Sequence, residues 1–558
     1  MFSAPLPSVP DPRTQTFPVL DDQLIDRIRP SGRVRPVARG EILFQPNDTD
    51  VPFFVLLSGA MEVVQPALGG EQLIATHGPG QFTGEISMIS EQRCLVCGRV
   101  TEPGEFLELT GHALRTLVAK DAELSEILMR AFILRRLELI RQGYGNVVML
   151  GSRHCARTLE VREFLTRNGH PYTYVDLDTD RGSQALLDRF HVGPPDVPVV
   201  ICNGRDVLRH PSIQQLADCL GLNAGIDGQQ VRDVIVVGAG PAGLAAAVYA
   251  ASEGLDVLVI ETSAPGGQAG SSSKIENYLG FPTGVSGQEL ASRAATQARK
   301  FGATMMVARS VVRLNCDRRP YEVRLDGGEV LLTRAIVIAT GAQYNKPQIQ
   351  NRERFEGLGV YYGATYIESQ LCGGDEVVVV GGGNSAGQAA VFLSQTAARV
   401  HMLVRSGELS STMSRYLIQR LTENAKVDLH LNTELVALQG DERLESLTWR
   451  NKKTGEVSTR PVQHVFAMTG ASPRTEWLRG CVALDGKGFI LTGRDLEAVP
   501  ANGDPHWRLP RAPQMLETSL PGVFAVGDAR SGNVKRVASA VGEGAISIHM
   551  VHQALAEM

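Results

Sequence analysis

The sequence predicts a multidomain chain: an antiparallel β-roll with helices, then a small mixed α/β unit, then two α/β units with parallel sheets. Three observations predict it. Short alternating segments such as EILFQ, FFVLLSG, MEVVQPA and QLIATHG recur between Val34 and Leu109, separated by Gly, Asn or Asp turns, as in strands with one face on a core. Between Asn146 and Leu220, strands and helices follow in the order βαβαββα. Two glycine turns, after the apolar runs beginning at Val234 and Glu376, each lead into a helix and a second apolar strand.

Composition narrows the function classes. The 558 residues leave room for about three or four domains with sizeable cores. The formal net charge of −5, without a basic stripe or an Arg/Lys-rich run, argues against nucleic acid as a partner. No apolar run has the length of a membrane span, and MFSAPLPSVPDPRTQTFPVL lacks a basic start followed by an apolar core, so the expectation is a cytoplasmic protein with no membrane partner. Eight cysteines, at positions 94, 97, 155, 202, 219, 316, 372 and 481, are too scattered for a disulfide framework and read mostly as reduced, buried thiols. No metal site is read from the sequence.

Residues 1–18 are rich in proline and polar side chains and are expected to be disordered. The roll and its helices occupy 19–142, with helical spacing between Leu114 and Ile140. Gly59, Gly78 to Gly80, and Gly84-Glu85 followed by Arg93 make this region resemble the cyclic nucleotide-binding domain. In that family the glutamate matching Glu85 holds the ribose, and the arginine matching Arg93 pairs its charged fork with the cyclic phosphate. Cys94-Leu95-Val96-Cys97 stands where small residues usually cradle that phosphate. Two readings follow: a cyclic nucleotide site, or a docking and regulatory barrel that has kept the shape alone. Cys94 and Cys97 form a CxxC by letter only, because positions i and i+3 of a strand face opposite ways.

Residues 146–222 resemble a small thioredoxin or glutaredoxin domain. Val197-Pro198 matches the place of that family's cis-proline, and Cys155-Ala156-Arg157-Thr158 matches its active-site motif with only the first cysteine present. A thiol at a helix N-terminus beside Arg153, His154 and Arg157 is placed to attack a disulfide, needing an outside thiol to finish a cycle; buried packing is the alternative.

After a polar linker at 223–230 comes VIVVGAGPAGLAAAVYAASEGLDVLVIE, one βαβ unit. Gly238 permits the tight turn, Gly240-Pro241-Ala242 opens the helix where backbone N–H groups meet a pyrophosphate, and Gly243 lets helix and strand pack closely. Glu261 arrives about 20 residues on, where a carboxylate can accept from a ribose diol. The following stretch GGQAGSSSKIENYLGFP, with Gly267, Gln268 and Asn277, resembles the flavin-facing loop of low-molecular-weight thioredoxin reductases. So do the Ala339-Thr340-Gly341 signature, Gly527-Asp528 in GVFAVGD, and Lys535-Arg536-Val537. The resemblance implies FAD bound by a domain made of 231–344 and 471–558, with Asp528 at the ribityl or diphosphate region and Lys535 to Val537 at the isoalloxazine.

The second glycine unit interrupts the first and spans 345–470, as in two-domain flavin disulfide reductases, whose corresponding Rossmann-like domain holds the nicotinamide cofactor. Gly381, Gly383 and Ala386 make the turn, and Asn384 and Ser385 open the helix. The second strand ends in Arg405, which suits the 2′-phosphate of NADPH, although Ser406 and Ser410 stand where the family carries further arginines; NADH is the alternative.

Thioredoxin reductases pass electrons to a CxxC in the nicotinamide domain. Here Gly363-Ala364-Thr365-Tyr366 takes that place, and Cys372 is a lone thiol nearby. The expectation is an FAD-dependent NAD(P)H oxidoreductase whose acceptor is open: a ferredoxin, a quinone, oxygen, or a disulfide reached through Cys155, which would make it a thioredoxin-type disulfide reductase. The other class is a slow-turnover flavin redox or ligand sensor read through the barrel. Family habit implies a homodimer, and linkers near Asn345 and Gly470 about which the two cofactor domains swivel.

Overall fold

The structure, a computed structural model, describes residues 15–557 except 47, 49–50, 68–69, 85–87, 89–93, 142–146, 154, 179–192, 203–205, 224–226, 228, 273, 357, 365, 442, 499–506 and 508. The chain divides into two compact units, one of residues 1–151, 169–224 and 299–302, the other of 152–168, 225–298 and 303–558.

The first unit opens with α1 (Asp22–Ile28), capped by Asp21, and the strands β1 (Arg33–Val37), β2 (Ile42–Phe44), β3 (Phe53–Leu56), β4 (Ala60–Ala67), β5 (Gly70–His77), β6 (Cys97–Glu102) and β7 (Gly104–Leu109). They form two antiparallel sheets, β1-β7-β3 and β2-β6-β4-β5. Gly59 and Gly80 turn at positive φ of 82° and 78°. Phe53, Phe82 and Phe132 meet with ring centroids 5.7 to 6.2 Å apart in the core, a geometry worth about 0.5–1.5 kcal/mol per pair beyond burial.

The expected single helical stretch over 114–140 is two helices, α2 (Gly111–Lys120) and α3 (Ala122–Arg141). Asp121 breaks it. Its carboxylate takes the Leu124 backbone N–H and the Arg27 guanidinium, so the short acid does better as a cap than inside a helix. The expected disorder up to Pro18 also ends earlier than proposed. Arg135 on α3 donates to the Thr16 carbonyl and lies 5.1 Å from the Phe17 ring, while Gln81 donates to the Phe17 carbonyl. One aromatic anchor and two hydrogen bonds offset the ordering entropy there.

The unit continues with β8 (Val147–Gly151). After α4 (Ala156–Arg167), which belongs to the second unit, come β9 (Thr173–Asp176), β10 (Val199–Cys202), β11 (Asp206–Arg209) and α5 (Ile213–Cys219), capped reciprocally by Ser212 and Gln215. The sheet order is β11-β10-β8-β9, with only β8 and β9 parallel. Val197-Pro198 is cis just before β10, at the position singled out in the sequence. The expected second helix, SQALLDRF at 183–190, lies outside the described residues.

Two buried imidazoles make this unit acid-sensitive. His77 and His170 are held down to about 3, chiefly by burial and then by the guanidiniums of Arg135 and Arg136 respectively. In the unfolded chain they take protons near pH ~6.5. Stability is therefore intact above that pH and falls as pH drops toward 3, by on the order of a few kcal/mol per residue. Calorimetry between pH 7 and 4 should show a falling melting temperature whose slope His77→Gln and His170→Gln each reduce; equal slopes in all three proteins would contradict this.

The second unit holds two parallel sheets. Around the first are β12 (Val231–Val237), α6 (Pro241–Ser252), β13 (Val257–Glu261), α7 (Gly287–Lys300), β14 (Thr304–Val307), β15 (Val311–Asn315), β16 (Tyr321–Leu325) and β17 (Val330–Ile338). The chain then runs through β18 (Ala342–Tyr344) into the inserted region: β19 (Val360–Tyr361), α8 (Tyr366–Leu371), β20 (Glu376–Val380), α9 (Asn384–Leu393), β21 (Arg399–Val404), α10 (Arg415–Glu423), β22 (Val427–Leu431), β23 (Thr433–Gln439), β24 (Ser446–Asn451), β25 (Val457–Arg460) and β26 (His464–Ala467). It returns through β27 (Ala471–Pro473) to β28 (Val523–Ala525) and α11 (Val537–Ala556). The first sheet runs β14-β13-β12-β17 in parallel with β28 beside β17, and β16 and β15 extend it antiparallel. The second runs β19-β26-β20-β21-β22, all parallel.

Residue parity explains the layers. Val377, Val379, Val400 and Met402 face the α9 and α10 side, while Val378, Val380 and Leu403 face the meander β23-β24-β25. A strand covered on both faces reads as a continuous apolar run, which is why EVVVV shows no alternation. The two connections pair as β18 with β27, and Asn345 N–H donates to the Gly470 carbonyl, so the expected linkers lie side by side.

The cysteine expectation needs one correction. Cys316, after β15, and Cys481, on the returning chain, form a disulfide with Cα atoms 5.7 Å apart across a sequence separation of 165. The fold, not the spacing, brings them together. Cys94, Cys97, Cys155, Cys202, Cys219 and Cys372 take part in no disulfide. Burial pushes Cys97 up, and a hydrogen bond to Cys219, with burial, pushes Cys202 up. No helix among the described residues is long and apolar enough to cross a membrane.

Candidate functional site

The glycine turn after β12 has the geometry of a phosphate cradle. Gly238 has φ of 104°, and a Cβ there would lie 2.4 Å from the Ala339 carbonyl oxygen. Gly243 is tighter still: a Cβ would sit 1.9 Å from the Gly238 carbonyl oxygen. Gly240, the N-cap of α6, is different. Its Cβ would meet only the Gly267 Cα at 3.9 Å, so the space before the helix N-terminus is open to a ligand, and Pro241 fills N1 where no N–H is needed. Glu261 is buried and accepts from the Ala239 N–H at 2.8 Å and the Ser263 N–H at 3.1 Å, tying the turn to the strand end. Ala242 is packed from above, since a Cβ on Gly544 of α11 would lie 2.1 Å from its carbonyl oxygen.

The loop after β13 folds back on this turn. Gly266 N–H donates to the Ala239 carbonyl, Gly267 has φ of 53°, and the Gln268 amide donates to the Ala342 carbonyl. Asn277 is exposed. Thr340 donates its hydroxyl to the Arg474 carbonyl, and Gly341 follows at φ of 63°. Gly527 N–H donates to Glu543, whose carboxylate also takes Arg530 and Asn533. Asp528 differs. Among the described residues no hydrogen bond reaches its carboxylate, and burial pushes its pKa up, against the pull of Lys535. A desolvated carboxylate lacking a donor suits a ligand hydroxyl. Lys535 lies 5.4 Å from the Phe489 ring, Arg536 is the N-cap of α11, and Val537 is its first residue. Glu543 went unread in the sequence, though it lies in the second turn of the helix that follows the last flavin signature.

The second turn repeats the pattern. Gly381 has φ of 148° and a Cβ would lie 2.3 Å from the Met468 carbonyl oxygen; at Gly383, the N-cap of α9, only the Thr412 carbonyl oxygen at 3.9 Å is near. Ala386 is buried, and the Asn384 side chain accepts the Ser414 N–H, fixing the start of α10. Arg405 is exposed just beyond β21. Ser410 donates to the Glu408 carboxylate at 2.8 Å, an acid in the same loop that the sequence reading passed over.

A cleft lies between the loop after β13 and the start of α9. Gln268, Ser271, Ser272 and Lys274 line it from the first domain; Gly363, Ala364, Ser385 and Gln388 line it from the second. Glu276 on the same loop pairs with Arg420 of α10, holding that loop to the inserted domain. The described lining contains no cysteine; its one sulfur is the thioether of Met468, and Thr365 lies outside the described residues. Cys372 is fully buried in the inserted domain's core, so the structure gives it a packing place. Residues 232–544 match the model of the pyridine nucleotide-disulphide oxidoreductases, over more than half of the chain. The chain belongs to this family. Residues 34–121 match the cyclic nucleotide-binding domain.

A pyridine nucleotide-disulphide oxidoreductase with this architecture is a flavoprotein of thioredoxin reductase-like type. The thioredoxin reductase of Mycolicibacterium smegmatis is 34% identical over 318 residues, 57% of this chain and 94% of that protein. The crystal structure of Lactococcus lactis thioredoxin reductase superposes with a TM-score of 0.52 at 28% identity, covering 59% of this chain and 100% of that one. That of T. acidophilum thioredoxin reductase also gives 0.52, at 27% identity, over 58% and 99%.

Elsewhere in the second unit, α4 carries Cys155 as its N-cap. Leu159, one turn on, packs against the core of the inserted domain, and at the far end Arg167 donates to the Gly267 carbonyl at 2.9 Å. Asn168 donates to Ser263. The helix thus rests on the loop that follows β13. His154, and Glu85 and Arg93 of the roll, lie outside the described residues; Gly84 has φ of 104° and accepts from Arg135.

Proposed function

We propose that the chain is an FAD-dependent NAD(P)H oxidoreductase whose acceptor is not a dithiol of its own nicotinamide domain. The cleft between the loop after β13 and the start of α9, lined by Gly363 and Ala364 where thioredoxin reductases carry a cysteine pair, carries this reading. FAD bound here supplies a hydride acceptor that can hand on a hydride or single electrons. The chain's residues bind and orient. N–H groups at Gly240 and Gly267 face the diphosphate, Glu261 stands at the ribose, Asp528 accepts from a ligand hydroxyl, and Gln268, Asn277, Thr340, Gly341 and Lys535 to Val537 border the ring. Gly381, Gly383, Asn384, Ser385 and Ala386 cradle the nicotinamide cofactor's diphosphate. Arg405 attracts a 2′-phosphate while Glu408 opposes it, so NADPH is preferred over NADH by a modest margin. Residues 231–344 with 471–558 form the flavin domain, 345–470 the nicotinamide domain, and the pair swivels about Asn345 and Gly470 in a homodimer. The roll at 19–142 is regulatory through Gly84, Glu85 and Arg93.

A second reading concerns the outlet. Residues 146–222 act as a thioredoxin-like domain and Cys155 passes electrons to a disulfide, a reading supported by the seat of α4 on the loop after β13. Anaerobic stopped-flow reduction tests both. NADPH should bleach the flavin faster than NADH, and Cys155→Ser should abolish turnover with disulfides while leaving flavin reduction intact. A flavin that neither nucleotide reduces would end the first reading. If disulfide turnover survives in Cys155→Ser, the second reading fails because Cys155 is not the outlet; if the wild type turns over no disulfide, it fails and the acceptor is a ferredoxin, a quinone or oxygen.

A further inference from the structure

The face of the inserted sheet that meets the meander carries an unusual polar cluster. Val427, Leu429 and Leu431 of β22 turn toward the helix-covered core, so Asp428 and His430 turn the other way. His401 does the same on β21, where Val400 and Met402 face the helices, and the register sets His401 opposite Asp428 and His430 opposite Leu403. Three potential ligands therefore converge from two adjacent strands. His401 Nδ1 lies 3.2 Å from His430 Nε2 and 3.4 Å from an Asp428 oxygen, and all three donor atoms fall within 4.8 Å of one another. A tetrahedral ion with ligand bonds of about 2.0–2.1 Å has ligand-to-ligand edges of about 3.3–3.4 Å.

We infer that His401, His430 and Asp428 form a binding site for a divalent transition-metal ion of the zinc class. Two imidazoles and one carboxylate suit such an ion and disfavour calcium and magnesium, which take oxygen ligands. The remaining ring nitrogen of His401 faces the Glu376 carboxylate at 3.2 Å, the outer partner that orients a ligating imidazole and leaves Nδ1 for the metal. His401 is buried, and Trp449 of the meander lies 5.5 and 5.2 Å from the two imidazole centroids, roofing the site. Arg399 also holds Asp428, at 2.8 and 2.9 Å, and Arg460 bears on His430; against these stand the Asp428 and Glu376 carboxylates. Each carboxylate oxygen has two lone pairs, so Asp428 can keep Arg399 and bind an ion as well. Bound there, the ion ties β21 to β22 beneath the meander, apart from the cofactor cleft.

Titration calorimetry of the full-length flavoprotein with ZnCl2, after chelator treatment and dialysis, tests the site. One equivalent should bind, with affinity at least 100-fold weaker in His430→Gln and in the isosteric Asp428→Asn, both at wild-type flavin content. A Cu(II) adduct should show electron paramagnetic resonance coupling to two nitrogens, reduced to one in His430→Gln. Wild type that takes up no zinc at 100-micromolar levels, or variants that bind as wild type does, would overturn the assignment.

Discussion

Gly240→Val should yield a folded protein that purifies without flavin. Among the described residues a Cβ at Gly240 meets nothing nearer than the Gly267 Cα at 3.9 Å, so the apoprotein has room for the branch point of a valine, which fills the space that a diphosphate must enter. The flavin-to-protein ratio should fall from near one to below roughly a tenth, since losing several backbone hydrogen bonds of about 1.5–3 kcal/mol each to a charged group costs several powers of ten in affinity. Gly243→Ala is the control of opposite kind. Its methyl would lie 1.9 Å from the Gly238 carbonyl oxygen, so this change should impair folding rather than binding. Visible absorbance and circular dichroism on both variants separate the effects. Full yellow colour in Gly240→Val would place the cofactor elsewhere.

Replacing both Cys316 and Cys481 by serine should be the most destabilising change outside the cofactor sites. The disulfide closes a sequence separation of 165, spanning the whole inserted domain, and in the chain-entropy account a loop of that length is worth up to about 5 kcal/mol. Residual structure of the inserted domain in the unfolded chain reduces the figure, so a loss of about 2–4 kcal/mol in denaturant unfolding is expected. Thiol titration of the unreduced, denatured protein should count six thiols rather than the eight in the sequence. Eight thiols, or a double variant as stable as wild type, would remove the disulfide from the account.

Much of the cofactor architecture could be read in advance because it is local. A glycine at a positive-φ turn, a helix opened by Gly240-Pro241 and a strand ending in Glu261 are all written within 28 consecutive residues, and the structure assembles them as one βαβ unit. The same holds for Gly381 to Ala386, and for the lone Cys155 ahead of its helix. Helix ends were less legible. Asp121 divides a stretch whose apolar spacing continues across it, because its side chain finds Leu124 N–H and Arg27, and the latter is remote in sequence.

The sequence by itself determined the two dinucleotide turns, the interruption of one domain by the other, and the missing dithiol, since each depends on residue types at short spacing. Only the tertiary structure decided which distant groups meet. It joins Cys316 to Cys481, brings His401, His430 and Asp428 onto one face, and seats Arg167 against Gly267. It also turns Gly363 and Ala364 into the same cleft as Gln268 and Ser385. Spacing along a chain fixes backbone conformation over a few residues. Long-range contacts depend instead on how elements pack and, in the sheets, on strand register; a one-residue slip of β21 or β22 would turn His401, or Asp428 and His430, to the opposite face.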